Sequence, residues 1–116
     1  MRLTCVNLPT MDLPRMRDFY CMALKVGYDE SHGGPDRCEI LTQGATLVLC
    51  KTHTPPVIDP ESCGLEFQVE NVDEEYQRLL DQGVTIPNPP VTLPWGFRFI
   101  AFRDPDGNNI DLVQAL

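Results

Sequence analysis

The chain has 116 residues, one domain's worth, and its hydrophobic fraction of 42% is that of an ordinary globular protein with a modest core. Its formal net charge of -8 argues against nucleic acid or an anionic membrane as partner, because both are held by basic patches. No apolar run approaches the roughly 18 residues of a membrane span, and the N-terminus lacks a basic stretch followed by an apolar one, so neither a transmembrane helix nor a signal peptide is expected.

In chain order, Leu3 to Leu8 reads as a short strand. Asp12 is placed to cap a helix with Pro14 in its first turn, and Met16, Phe19, Tyr20, Ala23 and Leu24 follow at helical spacing up to a stop near Gly27. A short strand fits Gly27 to Glu30, and a hairpin fits Cys38 to Leu41 and Ala45 to Cys50 around Gln43-Gly44. Thr54 to Pro60 is a proline-rich connector. Then the pattern repeats. Leu65 to Val69 reads as a strand, and Asn71 or Asp73 caps a helix carrying Tyr76, Leu79 and Leu80 that ends at Gly83. Val84 to Ile86 fits the strand that directly follows the helix, and Phe97 to Phe102 and Asn109 to Val113 form a hairpin. Asp104-Pro105-Asp106-Gly107 supplies its turn, with proline presetting φ and glycine taking the positive-φ position. Ile86 to Pro94 is a long, stiff loop leading into Trp95-Gly96, and such loops in compact domains often carry function.

Five cysteines (Cys5, Cys21, Cys38, Cys50, Cys63) are odd in number and lack any C-x-x-C spacing, which predicts reduced thiols and a cytoplasmic protein. His32 and His53 fall in predicted loops.

The two halves align element by element. Gly27 matches Gly83, Gly44 matches Gly107, and Leu47 and Leu49 match Ile110 and Leu112, so Val48 stands where Asp111 stands in the second half. The predicted organisation is a single domain over 1–116, with module one at 1–53, a connector at 54–62 and module two at 63–116.

A doubled strand-helix-strand-strand-strand chain with Met11-Asp12-Leu13 before Phe19-Tyr20, Phe67-Gln68-Val69 before Val72-Asp73, Pro94-Trp95-Gly96, and the Asp104 to Leu112 hairpin resembles the vicinal oxygen chelate superfamily. That group includes glyoxalase I, extradiol dioxygenases, and fosfomycin- and bleomycin-resistance proteins. The resemblance implies an α+β fold: two paired β-α-β-β-β modules forming curved, mostly antiparallel sheets around a cup. It also implies four strand positions that aim metal ligands into the cup, here Cys5, Val48, Gly64 and Asp111. The usual ligands there are His or Glu. Only Asp111 keeps a carboxylate, Cys5 offers a thiol, and Val48 and Gly64 offer no side-chain donor, whereas Zn²⁺ takes three or four ligands and hard divalent ions take several oxygens. No cofactor is therefore expected, the alternative being a divalent metal on Cys5 and Asp111.

The period of two along strands places the remaining candidates. Leu65, Phe67 and Val69 share one face, and Gly64, Glu66 and Gln68 the other. Cys5 and Asn7 share a face, as do Thr46, Val48 and Cys50. The expected ligand-binding set is Cys5, Asn7, Val48, Gly64, Glu66, Gln68, Trp95, Arg98 and Asp111, with Asp111 and Glu66 as candidate catalytic carboxylates. Blander readings stand beside these. Asp111 can ion-pair with Arg98 or Arg103, Cys5 can be a small buried residue, and Trp95 can plug the sheet end instead of lining a pocket rim. The Asp73-Glu74-Glu75 run complements a helix N-terminus.

Two function classes follow from the resemblance. One is a small-molecule-binding protein without the metal site, like the bleomycin-resistance members, which trap a ligand between two subunits. The other is a lyase-, isomerase- or dioxygenase-type enzyme using Asp111, with Glu66 or Cys5, for acid-base or unusual metal-assisted chemistry. The resemblance further implies a homodimer.

Overall fold

The computed structural model describes residues 1–30, 34–59, 61 and 64–116. His32 and Cys63 lie outside the described residues. The chain divides into two compact units, Met1–Val57 and Ile58–Leu116, and the division falls inside the proline-rich connector.

In the first unit, strand β1 (Cys5–Thr10) leads to helix α1 (Leu13–Leu24), a two-residue strand β2 (Tyr28–Asp29), and the hairpin strands β3 (Arg37–Ile40) and β4 (Thr46–Lys51). The sheet order is β1-β4-β3-β2. β4 is parallel to β1 and antiparallel to β3. Asp12 caps α1 as expected, its carboxylate accepting from the Arg15 N–H at 3.2 Å. The helix does not stop at Gly27. Lys25 takes the left-handed conformation at φ 56°, and the Val26 N–H closes the turn on the Cys21 carbonyl at 3.2 Å. Gly27 is thus a spacer after a cap that a lysine makes. Met16, Tyr20 and Ala23 from α1 are buried, as are Cys38, Ile40, Leu47 and Leu49 from the sheet.

The second unit repeats this order. Strand β5 (Leu65–Gln68) is followed by α2 (Val72–Asp81), then β6 (Val91–Leu93), β7 (Phe97–Arg103) and β8 (Asn109–Ala115), in sheet order β5-β8-β7-β6. Two of the three pairings in each sheet are antiparallel. The α+β repeat read from the sequence is therefore the observed fold of both halves. Of the two possible caps of α2, Asn71 is the one used, accepting from the Glu74 N–H at 3.2 Å. Val72, Leu79, Ile100, Phe102, Ile110 and Leu112 are buried.

One expected strand is absent, and its residues are otherwise employed. After α2, Gly83 sits at φ 87°, the Gly83 N–H bonds the Leu80 carbonyl at 3.0 Å, and the Val84 N–H bonds the Leu79 carbonyl at 3.0 Å. This Schellman motif consumes the Val84 N–H that a strand would need. The chain then passes Ile86, which is buried, and the prolines, and pairs with the sheet only at Val91–Leu93. The stretch expected to be a loop therefore supplies the edge strand. Prolines beside an edge strand cost no ladder bonds inward.

The Asp104 turn fixes the last hairpin. Asp104 is nearly fully buried. Its Oδ1 accepts from the Asp106 and Asn108 N–H groups at 3.0 Å each, and its Oδ2 from the Asn108 side-chain amide at 2.8 Å.

Because Gly83 closes the helix at positive φ, Gly83→Ala is expected to destabilise the protein by about 1–2 kcal/mol. Chemical denaturation checks this, and an unchanged midpoint would show that the left-handed cap is not needed.

Candidate functional site

The face of the second sheet turned away from α2 is set by alternation. β7 places Phe97, Phe99 and Ala101 there and turns Arg98, Ile100 and Phe102 to the helix side. β8 places Asp111 and Val113 on the open face and buries Ile110 and Leu112 behind. Register then joins these residues across strands. Glu66 stands opposite Asp111, Asp111 opposite Ala101, Val113 opposite Phe99, and Leu93 opposite Phe97. Ala101 matters by its size, since it leaves room beside the Asp111 carboxylate.

The result is an open cleft of about 300 Å³ lined by Glu66, Leu93, Trp95, Phe97, Phe99, Asp111 and Val113. One end is acidic and the wall is aromatic and aliphatic. Trp95 stands at the rim, 69% exposed, on the turn between β6 and β7, where Gly96 takes φ 91° and its N–H bonds the Leu93 carbonyl at 3.2 Å. Trp95 is the single tryptophan of the chain.

Asp111 is half-buried, and burial pushes its carboxyl above the ordinary range, with repulsion from Glu66 acting in the same direction. Among the described residues no basic group offsets this. Arg98 is committed elsewhere: its Nη2 and Nε donate to the two oxygens of Asp73 at 2.8 and 2.9 Å, on the helix side of the sheet. Arg103 donates to the Gly107 carbonyl at 3.1 Å, within its own hairpin. The blander reading, an ion pair of Asp111 with Arg98 or Arg103, is not found among the described residues. Strand parity turns Arg98, expected in the ligand-binding set, to the face of the sheet opposite the cleft.

The remaining candidates divide between the units. Gln68 shares the face of Glu66 but does not line the cleft. Cys5, Asn7, Thr46, Val48 and Cys50 belong to the first sheet. There the thiols of Cys5 and Cys50 donate to the Asn7 side-chain oxygen at 3.6 and 3.8 Å, and Cys5 is half-buried. Val48, the counterpart of Asp111, is fully buried. Gly64 lies against the neighbouring strand, where a Cβ would meet the Asn109 carbonyl oxygen at 2.6 Å and its Cβ at 2.8 Å. The sequence pointed to Glu66, Asp111 and Trp95. It did not yield Leu93 and Val113, nor Phe97 and Phe99, the last two because the run from Phe97 to Phe102 is apolar at every position but Arg98 and hides its own period.

The four positions that the family resemblance assigns to a metal do not compose a suitable donor set. Val48 is apolar and buried, and Gly64 has no space for a side chain without moving a backbone. Among the described residues no three His, Cys, Asp or Glu side chains converge as metal ligands. Also among the described residues, no helix is long and apolar enough to cross a membrane.

Residues 2–112 match the model of the glyoxalase/bleomycin resistance protein/dioxygenase superfamily, and the chain belongs to that superfamily. It is 42% identical to the uncharacterized protein YraH of Bacillus subtilis (strain 168), with all of both chains covered. Among solved structures, a family enzyme from Burkholderia phytofirmans PsJN superposes with a TM-score of 0.82 at 19% identity over the full length of both chains. A glyoxalase/bleomycin resistance protein/dioxygenase from Nocardioides gives a TM-score of 0.73 at 24% identity, over 98% of this chain and 83% of that one. At these identities the two structures bear on the fold.

The raised Asp111 carboxyl has a consequence for stability. The folded state holds this proton more tightly than the unfolded chain, so stability falls as pH rises from the ordinary carboxylate range through the raised value, and the cost is complete above it. Asp111→Asn removes that cost. Its Tm is expected to exceed the parent's at pH 7, by on the order of 2 °C, with the gain gone by about pH 3 where both forms are neutral. Thermal melts at the two pH values check this, and a gain equal at both would reject the electrostatic account.

Proposed function

We propose that the chain is a small-molecule-binding protein of its superfamily, working without a resident metal and as a homodimer, and that its ligand is a small organic cation with a flat apolar body. The observation that carries the reading is the cleft of the second unit. Two carboxylates, Glu66 and Asp111, face one another across adjacent strands with no basic group offsetting them among the described residues, and beside them stand Trp95, Phe97 and Phe99. Aromatic faces and carboxylates attract the same kind of charge, and a partly desolvated site strengthens both attractions. An apolar wall with few polar groups is also the usual make-up of a small-molecule site.

Trp95 gives the test its signal. Phenethylammonium is expected to change Trp95 fluorescence saturably, and at least about tenfold more tightly than its neutral isostere 2-phenylethanol. In a Glu66→Gln, Asp111→Asn double variant that preference is expected to vanish. Equal affinity for the two probes in the parent protein would sink the reading.

The metal and the assembly are read in one experiment. Native mass spectrometry after expression with Zn²⁺, Ni²⁺, Mn²⁺ and Fe²⁺ available is expected to show a dimer carrying less than about one-tenth equivalent of any metal. One equivalent per chain, lost in a Cys5→Ala, Asp111→Ala variant, would reverse the metal-free reading.

A second reading rests on the raised Asp111 carboxyl. A carboxylate made more basic by burial and by a like-charged neighbour suits a general base acting next to a carbonyl group. In that case Asp111→Asn abolishes turnover, whereas in a binding protein it only weakens ligand uptake.

A further inference from the structure

One part of the cleft wall, Leu93 and the turn that carries Trp95, depends on β6, and β6 has little to hold it. It is three residues long, lies at the edge of the sheet and, among the described residues, pairs only with β7. No helix or strand covers residues 82–90 ahead of it, and Pro94 follows it. Yet it carries Leu93 into the cleft and aims the chain at Trp95. On the other side of the same strand, Thr92 stands opposite Arg98. The Arg98 Nη1 donates to the Thr92 hydroxyl at 2.9 Å, while Nε and Nη2 grip both oxygens of Asp73, at the second position of α2. One guanidinium thus fastens the edge strand to the first turn of the helix. That turn is itself anchored to β8, where the Gln114 side-chain oxygen accepts from the Val72 N–H at 2.9 Å. The planar fork of arginine makes this three-bond arrangement, which the point charge of lysine would not reproduce.

We infer that Arg98 is a positioning residue: from the far side of the sheet it latches β6 to the start of α2 and thereby holds the Leu93 and Trp95 wall of the cleft in place. The value of the inference for function rests on the reading of the cleft as a ligand site, but the latch itself does not. Arg98 is not among the residues that line the cleft, so its effect on any ligand is indirect. The latch is also a partly exposed ion pair, with Asp73 held below the ordinary carboxylate range by Arg98, so salt screens it.

The test needs no ligand, which separates failure of the latch from failure of the proposed binding function. Amide hydrogen exchange is followed over residues 91–95 and, as internal reference, over 109–115. Trp95 fluorescence anisotropy reports on the rim. In Arg98→Met, which keeps the stem and removes the fork, exchange over 91–95 is expected to be at least about fivefold faster, the Trp95 anisotropy lower and the reference segment unchanged. Asp73→Asn and Thr92→Val are expected to give smaller shifts of the same sign, which keeps the test decisive if Arg98→Met folds poorly. Raising NaCl to about 1 M should loosen residues 91–95 in the parent but not in Arg98→Met. Exchange over 91–95 within twofold of the parent in all three variants would overturn the inference. So would an equal acceleration of both segments, which would make Arg98 a general stabiliser of the unit.

Discussion

In each half of the chain the first strand lies parallel to the last, and this pairing is what the other contacts presuppose. A connection from the first strand to its parallel neighbour must travel through a helix and a hairpin, so the parallel ladder closes a loop of the whole unit. Its register decides what each strand shows to either side, because a slip of one residue would exchange the two faces. Opposite Ile110 stands Leu65, toward the helix, and opposite Asp111 stands Glu66, away from it. The buried Asp104 turn supports the same register from the hairpin end, by holding β7 and β8 at a fixed offset.

The two units use one topology for different chemistry. At equivalent ladder positions the first unit pairs Asn7 with Val48 and the second pairs Glu66 with Asp111. Val48 is buried, whereas Asp111 is partly open and beside an alanine. The backbone therefore specifies where a side chain points, and the side chain alone specifies what can be done there. In the second unit the division of labour runs through the sheet. The helix side holds packing and polar fastenings, and the other side holds the acidic and aromatic cleft.

How much of this was readable in the sequence depended on whether a local signal spoke for one face. Asp12, Asn71 and the Asp104 turn were legible because caps and tight turns are made by a few residues with short-range hydrogen bonds. Glu66 and Asp111 stood out as polar residues within alternating strands. The facing of Arg98 and of the aromatic residues is not legible, since Phe97 to Phe102 is apolar at every position but Arg98 and parity within it has no visible phase. The edge strand at Val91–Leu93 is hidden among prolines, and Val84 to Ile86 reads as a strand because valine and isoleucine favour strands wherever they occur. There the Schellman motif prevailed over propensity. The left-handed Lys25 was invisible for a simpler reason, as lysine carries no signal for that conformation.

The close passage of Gly64 along Asn109 bears on how this chain can change over generations. Any substitution at Gly64 drives a Cβ to 2.6 Å from a backbone oxygen of the adjacent strand. A side chain can enter there only if the Gly64 or the Asn109 backbone moves, and Asn109 opens the strand that carries Asp111. The exposed Glu66 and Trp95 can be exchanged with the backbone left as it is, whereas a side chain at residue 64 has to bring a backbone adjustment with it.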